Sequence, residues 1–287
     1  MEETKPVAIK PIYAGKPENF HWVGFGSGTG TNLRECAKVK KPSLIVCDNP
    51  KAGLLELDAL KGVERLIYNG FRECGSFKDS RGNPELEQEY QRKSGAFNAK
   101  LLDDINSFEE QVGYKIDLIV LGGYNRIITD PLLKAYQDKI INVHPADLTL
   151  LDEDHRRRFI GLNAVYDALS YQITHPQASQ QPSTLSSIIL VDEGEDHGEI
   201  LARGKSVEMV QDFTANNLDL EKLREYADIH QRIQKPQSDW PALTTVLLTI
   251  MHGKLGISEQ KMHHNDWRMI YMGDTPLPYG GFGVGAP

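Results

Sequence analysis

The run Leu118-Ile119-Val120-Leu121 is apolar at four consecutive positions, so a strand formed there must be covered on both faces. Such a strand belongs inside a mainly parallel sheet. The rest of the chain follows the same plan, because short apolar runs alternate with segments of helical periodicity. The predicted strands are His21–Gly26, Ser43–Cys47, Arg65–Tyr68, Asp117–Gly122, Ile140–His144, Thr184–Val191 and Glu199–Val207. Helical patterns fall at Asn32–Lys38, Ala52–Leu60, Phe97–Val112, Pro131–Gln137 and Leu162–Tyr171. The last two strands lack a helix between them and are expected to pair antiparallel at the sheet edge. Beyond Met209 the pattern predicts helices over Leu218–Gln234 and Trp240–His252, then an extended Gly- and Pro-rich tail from Pro276 to Pro287. The fold class is therefore α/β: a Rossmann-type, mainly parallel sheet with helices on both faces, an antiparallel edge pair and a C-terminal helical extension. Residues 1–19 read as an N-terminal extension, 20–255 as one catalytic domain and 256–287 as a C-terminal extension or tail.

Charge and cysteine usage narrow the function classes. The 287 residues hold 32 Lys+Arg against 40 Asp+Glu, a net charge of −8, which argues against a nucleic-acid partner because such affinity rests on neutralising phosphates. With 40% hydrophobic and 25% charged residues, the chain is neither disordered nor collagen-like. Cys36, Cys47 and Cys74 lack a CxxC spacing and read as reduced thiols, with Cys47 a core residue rather than a nucleophile. No signal peptide is evident, and the apolar stretch around Val246–Met251 is too short to span a bilayer, so a cytoplasmic protein without a membrane partner is expected.

Three motifs carry chemistry. Gly24-Phe25-Gly26-Ser27-Gly28-Thr29-Gly30-Thr31-Asn32-Leu33 is a glycine-rich turn between a strand and a helix. Glycines let the backbone approach a ligand, and the unpaired N–H groups of a helix start favour an anion. No register of its glycines satisfies G-x-G-x-x-G, and no Gly-Lys-Ser/Thr follows. Asp48 does lie where a dinucleotide fold places its ribose acid. A phosphate cradle is thus favoured over a plain tight turn, and NAD binding by an oxidoreductase stays open as a second reading. In Ile141-Asn142-Val143-His144-Pro145, Asn142 and His144 project to one side of a strand end, where an amide and an imidazolium can donate to one oxyanion. The acidic loop Asp192-Glu193-Gly194-Glu195-Asp196-His197-Gly198 lacks an EF-hand spacing, and on its own reads as a solvated turn. His263-His264 likewise reads as an exposed pair, so no metal is expected.

Taken in order, these segments resemble the folate-dependent formyltransferases. The family's Ser-Gly-x-Gly-Ser-Asn-Leu loop is similar to Ser27–Leu33, and its Leu-Ala-Gly-Phe-Met-Arg-Ile-Leu segment to Leu121–Ile128. Its Asn-x-His-Pro signature is met by Asn142-Val143-His144-Pro145. Its Asp-Glu-x-Asp-x-Gly loop is similar to Asp192–Gly198 with one extra residue, which puts the family's aspartate at Asp196. Trp240-Pro241 is similar to a Tyr-Pro of the penultimate helix. The resemblance implies formyl transfer from 10-formyltetrahydrofolate, as co-substrate, to a phosphorylated amine. Glycinamide ribonucleotide of purine synthesis is the first candidate acceptor; another amine, such as a nucleotide sugar, or water is the alternative. It implies Asn142, His144 and Asp196 as catalytic residues. It implies a folate site at Tyr124, Asn125, Arg126, Ile127 and Ile128 with Asp192, Glu193 and Gly198, and a phosphate site at Gly28, Thr29, Gly30, Thr31 and Asn32. A homodimer is a further possibility.

The departures are as specific as the matches. Ser-Leu-Leu-Pro of the family is Ala146-Asp147-Leu148-Thr149 here, and the loop that follows, Leu151–Phe159, is several residues longer and contains Arg156-Arg157-Arg158. A family His is Asn163, a Met is Asn125, and a ribose-binding Glu falls at Pro236. The three arginines read as a solvated loop, with an anion clamp as the alternative.

Overall fold

The computed structural model describes residues 7–175, 181–211, 213–215, 218–262 and 266–285, so His263-His264 lies outside the described residues. The chain forms two compact units, the first of residues 16–142 and 190–195, the second of residues 1–15, 143–189 and 196–287.

Parallel strands build the first unit. Trp22–Gly26 lies between Leu44–Cys47 and Leu118–Leu121, with Phe25 opposite both Val46 and Leu121. Glu64–Ile67 flanks Leu44–Cys47, and Ile140–His144 flanks Leu118–Leu121, placing Asn142 opposite Leu121. Leu44–Cys47 and Leu118–Leu121 are buried at every residue, as their unbroken apolar runs require, whereas Glu64–Ile67 is half exposed. Helix Pro84–Val112 supplies Tyr90, Phe97, Leu101, Ile105 and Phe108 to the core. It is 29 residues long, well beyond the predicted Phe97–Val112. Its first half is too polar to show an apolar stripe. That half is held instead by Asn83, whose side chain accepts from the N–H groups of Glu85 and Leu86, by Pro84 in its first turn, and by Glu89 paired with Arg92 and Lys93. The predicted helix Ala52–Leu60 is instead two short 3₁₀ turns, Gly53–Glu56 and Asp58–Leu60. The Leu54 N–H is drawn out of a helical ladder to the Gly28 carbonyl at 3.0 Å.

The second unit is mixed. Ser187–Leu190 runs antiparallel to Ile200–Arg203, the expected pairing. The two predicted strands are each broken, with Ser183–Thr184 and Val207–Glu208 forming a separate ladder. Gly204 marks one break, since a Cβ there would lie 2.2 Å from Ser238 Oγ. The C-terminal run is not a loose tail over its described residues: Phe282–Gly283 pairs in parallel with Ile200–Arg203, so that strand is not an edge. Gly281 makes this approach possible, with φ at +66° and Leu201 O only 2.2 Å from where a Cβ would stand. An antiparallel hairpin, Leu255–Lys261 with Arg268–Met272, went unpredicted, and Ile9–Pro11 adds to it antiparallel. Helices Ala164–Thr174 and Leu220–Gln234 share a core of Val165, Leu169, Leu223 and Tyr226. A five-residue π-helical turn, Lys235–Asp239, then joins Leu220–Gln234 to Trp240–Met251. No helix among the described residues is long and apolar enough to cross a membrane.

Candidate active site

The glycine-rich turn of the first unit is shaped by close packing. Gly30 precedes helix Thr31–Val39 in the left-handed region at φ +68°, and a Cβ on it would lie 2.4 Å from that of Leu54. Only glycine meets both conditions. No side chain caps this helix start and no acid lies in its first turn, so its leading N–H groups remain available to an anion. Gly28 and Thr29 are exposed, Thr31 is half-buried and Asn32 is buried, its carboxamide oxygen without a partner among the described residues. Ser27 ties the turn down: its N–H donates to Gly123 O at 3.0 Å, and its hydroxyl accepts from the Asn125 N–H at 2.8 Å.

Residues Tyr124–Ile128 divide by environment. The Tyr124 ring packs edge-on against Phe25 and its phenol is pushed far up by burial, while Ile128 is in the core. Ile127 packs on the core's margin and its carbonyl accepts from Asn98 Nδ2 at 3.1 Å. Only Asn125 and Arg126 reach a cavity of about 310 Å³, also lined by Ser27, Asp48, Lys51 and Phe71. Residues Gly28 to Asn32 do not line it. Arg126 Nε donates to Asp48 Oδ2 at 2.9 Å and its Nη1 to Gly75 O at 2.5 Å. Asp48, 4% exposed, is therefore the counter-charge of Arg126 rather than a free ribose acid. Asp192 accepts from the Gly194 N–H at 3.0 Å, Glu193 is exposed, and Glu195 pairs with Arg81. The three cysteines are buried free thiols, and burial raises the pKa of each.

The second unit holds a buried histidine–carboxylate pair. His144 ends strand Ile140–His144, two residues after Asn142 and on the same side of it, and is 3% exposed. Its Nδ1 lies 3.1 Å from Asp196 Oδ2, and its Nε2 is 2.7 Å from the Phe159 carbonyl, to which it donates. Asp196 Oδ2 also accepts from the Gly161 N–H at 2.8 Å. Burial alone pushes the Asp196 carboxyl up, but the charge and hydrogen bond of His144, the Gly161 N–H and the charge of Arg157 outweigh it, leaving the pKa below the usual value. An imidazole oriented by an ionised carboxylate can hold a proton for donation and pass it on. Among the described residues no group of three His, Cys, Asp or Glu side chains could hold a metal ion.

The triple arginine is not a uniformly solvated run, since only Arg156 of the three is exposed. Arg156 closes a turn with Asp152 and Asp154, and Arg158 lies over the Tyr171 ring at 4.4 Å. Arg157 is buried and donates to the carbonyls of Asp196 and Gly198 and to the hydroxyl of Tyr279. Sequence reasoning missed this residue. The enlarged loop was its one signal, because nothing local distinguishes Arg157 from its two neighbours.

Residues 76–228, more than half of the chain, match the family described as Formyl transferase. The chain belongs to that family. Its relatives include the phosphoribosylglycinamide formyltransferase of Bacillus subtilis (strain 168), 28% identical over 232 residues that cover 78% of this chain and 92% of the relative. Among solved structures, phosphoribosylglycinamide formyltransferase from Coxiella burnetii aligns with a TM-score of 0.57 at 18% identity, covering 92% of this chain and 99% of that one. A formyltetrahydrofolate deformylase from Pseudomonas putida KT2440 aligns at a TM-score of 0.50 and 12% identity, over 89% of this chain and 71% of that one. At these identities the structures establish a shared formyl transferase fold. The NAD-linked reading of the glycine turn gives way to the family assignment, in keeping with the pairing of Asp48 to Arg126.

Proposed function

We propose that this formyl transferase moves the formyl group of 10-formyltetrahydrofolate to the primary amine of glycinamide ribonucleotide. The observation that carries the proposal is the buried His144–Asp196 pair, at the end of the strand that presents Asn142 two residues earlier. As the amine attacks the formyl carbon, charge gathers on the formyl oxygen, and donors fixed in a dry site stabilise it better than water does. In this mechanism the Asn142 amide and His144 Nε2–H supply those donors, and Asp196 holds the imidazolium. The new C–N bond forms as the bond from the formyl carbon to the folate N10 breaks; the amine loses a proton and N10 gains one, with His144 and Asp196 carrying it. Nε2–H already donates to the Phe159 carbonyl, and the formyl oxygen takes that acceptor's place, so Phe159 must yield on binding.

The acceptor follows from two considerations. The B. subtilis relative bears the name of the glycinamide ribonucleotide enzyme, and the uncapped start of helix Thr31–Val39 suits the substrate's phosphate. With a net charge of −8, the chain must catch an anion locally rather than by overall attraction. For the folate, the side chain of Asn125 and the backbone around Arg126–Ile128 remain the candidate contacts, since Tyr124 and Ile128 point into the core.

The test is release of tetrahydrofolate from 10-formyltetrahydrofolate by the purified protein. Release that depends on glycinamide ribonucleotide supports the proposal. Release with formate in the absence of any amine assigns water as the acceptor, and folate binding without turnover on any amine overturns formyl transfer.

A further inference from the structure

We infer that Arg157 is a positioning residue that holds Asp196 against His144, and that the C-terminal segment carrying Trp267 and Tyr279 holds Arg157 in turn. Arg157 is 7% exposed and lacks a carboxylate partner in its hydrogen bonds. Its Nη1 donates to Asp196 O, its Nη2 to Gly198 O at 2.9 Å, and its Nε to Tyr279 Oη at 3.1 Å. The carbonyl between them, that of His197, accepts from the Trp267 indole N–H. Three consecutive carbonyls of the acidic loop are thus each taken by a donor from elsewhere in the unit. The guanidinium carbon lies 4.6 Å from the Trp267 ring centroid and 5.8 Å from that of Tyr279, so two aromatic faces fix the plane of the fork. Tyr279 Oη completes the chain by donating to Leu148 O at 3.2 Å.

Asp196 needs such a brace. It sits in the left-handed region at φ +48°, where a non-glycine residue stays only if its surroundings over-determine it. The loop of Arg157 grips it at both ends: the guanidinium takes its carbonyl, and the Gly161 N–H, four residues on, takes its carboxylate oxygen. A buried guanidinium among neutral acceptors gains little stability, but it fixes backbone direction through a rigid bidentate fork. The long loop after His144 and the C-terminal hairpin and strand therefore act together.

The kinetic part of the test rests on the formyl-transfer proposal; the spectroscopic part does not. Arg157→Ala, Arg157→Lys and Tyr279→Phe are compared with the parent protein by NMR of the His144 Nδ1 proton and by pH profiles of kcat. Among the described residues the charges of His144 and Arg157 both lower the pKa of the Asp196 carboxyl, so loss of Arg157 lets that carboxyl protonate at higher pH. The expected result is a shifted or exchange-broadened Nδ1 proton in Arg157→Ala and Arg157→Lys. The kcat falls by up to about a hundredfold with its acid limb moved upward, and the KM for the amine is little changed. Lysine keeps the charge but cannot span two carbonyls, so Arg157→Lys decides the matter if Arg157→Ala does not fold. Tyr279→Phe is expected to show the same change of resonance in smaller measure. An unaltered Nδ1 resonance in Arg157→Lys overturns the inference, whereas the acid limb, which follows the charge, is expected to move in Arg157→Ala alone. A parent protein that transfers no formyl group sinks the functional proposal alone, since the resonance still reports on Arg157.

Discussion

The glycine turn of the first unit and the His144–Asp196 centre of the second reach definite geometry by opposite means. The turn is made of backbone. Its shape is set by Gly30, which tolerates φ +68° beside Leu54, and by main-chain bonds to Gly28 and Gly123. The His144–Asp196 centre is made of side chains brought from afar: Asp196 lies 39 residues from Arg157, and Arg157 lies 122 residues from Tyr279. A backbone site needs the right residue types within a short window. A side-chain site needs the whole unit to fold first, and it can be tuned by residues that never touch a ligand.

Four substitutions test that contrast, the first by asking whether the first unit also depends on a distant side-chain pair. Arg126→Ala strands the buried Asp48 carboxylate, and a loss of about 3–5 kcal/mol in urea-unfolding stability is expected. A loss near zero would mean that water reaches Asp48 and that the pair is not structural. At the second centre, His144→Ala is expected to cut kcat by about 10²–10³-fold while the protein remains folded by circular dichroism. Unimpaired turnover would remove His144 from the mechanism. Gly30→Ala combines an unfavourable φ with a Cβ that meets Leu54, and should cost about 2–3 kcal/mol of stability and weaken inorganic phosphate binding. Wild-type stability would show that the turn is less constrained than its packing indicates.

The smallest effect concerns Asp239, the last residue of the π-helical turn Lys235–Asp239. Burial raises its pKa to about 6, against the lowering influence of a hydrogen bond from Gln234 and the charges of Lys235 and His144. Its folded pKa lies above the unfolded value, so the folded state binds more protons and stability falls as pH rises from about 4 to 6. Asp239→Asn keeps the oxygen that accepts from Gln234 Nε2 and removes that fall. A gain of about 1–2 kcal/mol at pH 7, with a flatter stability profile below it, is expected from thermal unfolding across pH. An unchanged profile would assign the pH dependence elsewhere.

Much of the parallel sheet was legible, because strands buried on both faces leave unbroken apolar runs such as Leu44–Cys47 and Leu118–Leu121. The polar half of helix Pro84–Val112 was not, since capping and ion pairs hold it where periodicity is silent. The placing of Asn142 and His144 on one strand was legible from spacing, and Asp196 as the candidate partner of His144 only through the family resemblance. The hairpin Leu255–Lys261 with Arg268–Met272 was hidden because its strands lack a clean alternation, and the strand Ile9–Pro11 that adds to the first of them comes from the far end of the chain.

The sequence by itself determined the parallel α/β plan, the glycine turn and the placing of Asn142 and His144 on one side of a strand. Each depends on periodicity or on residue types close together in the chain. Only the tertiary structure decided that Asp48 is the partner of Arg126, that the Phe159 carbonyl accepts from His144 Nε2, and that Arg157 is buried against Trp267 and Tyr279. Hydrogen bonds and ring contacts between residues far apart in the chain depend on distance and direction in space, which neighbouring residues do not encode. That is why three adjacent arginines, alike in sequence, take three different roles.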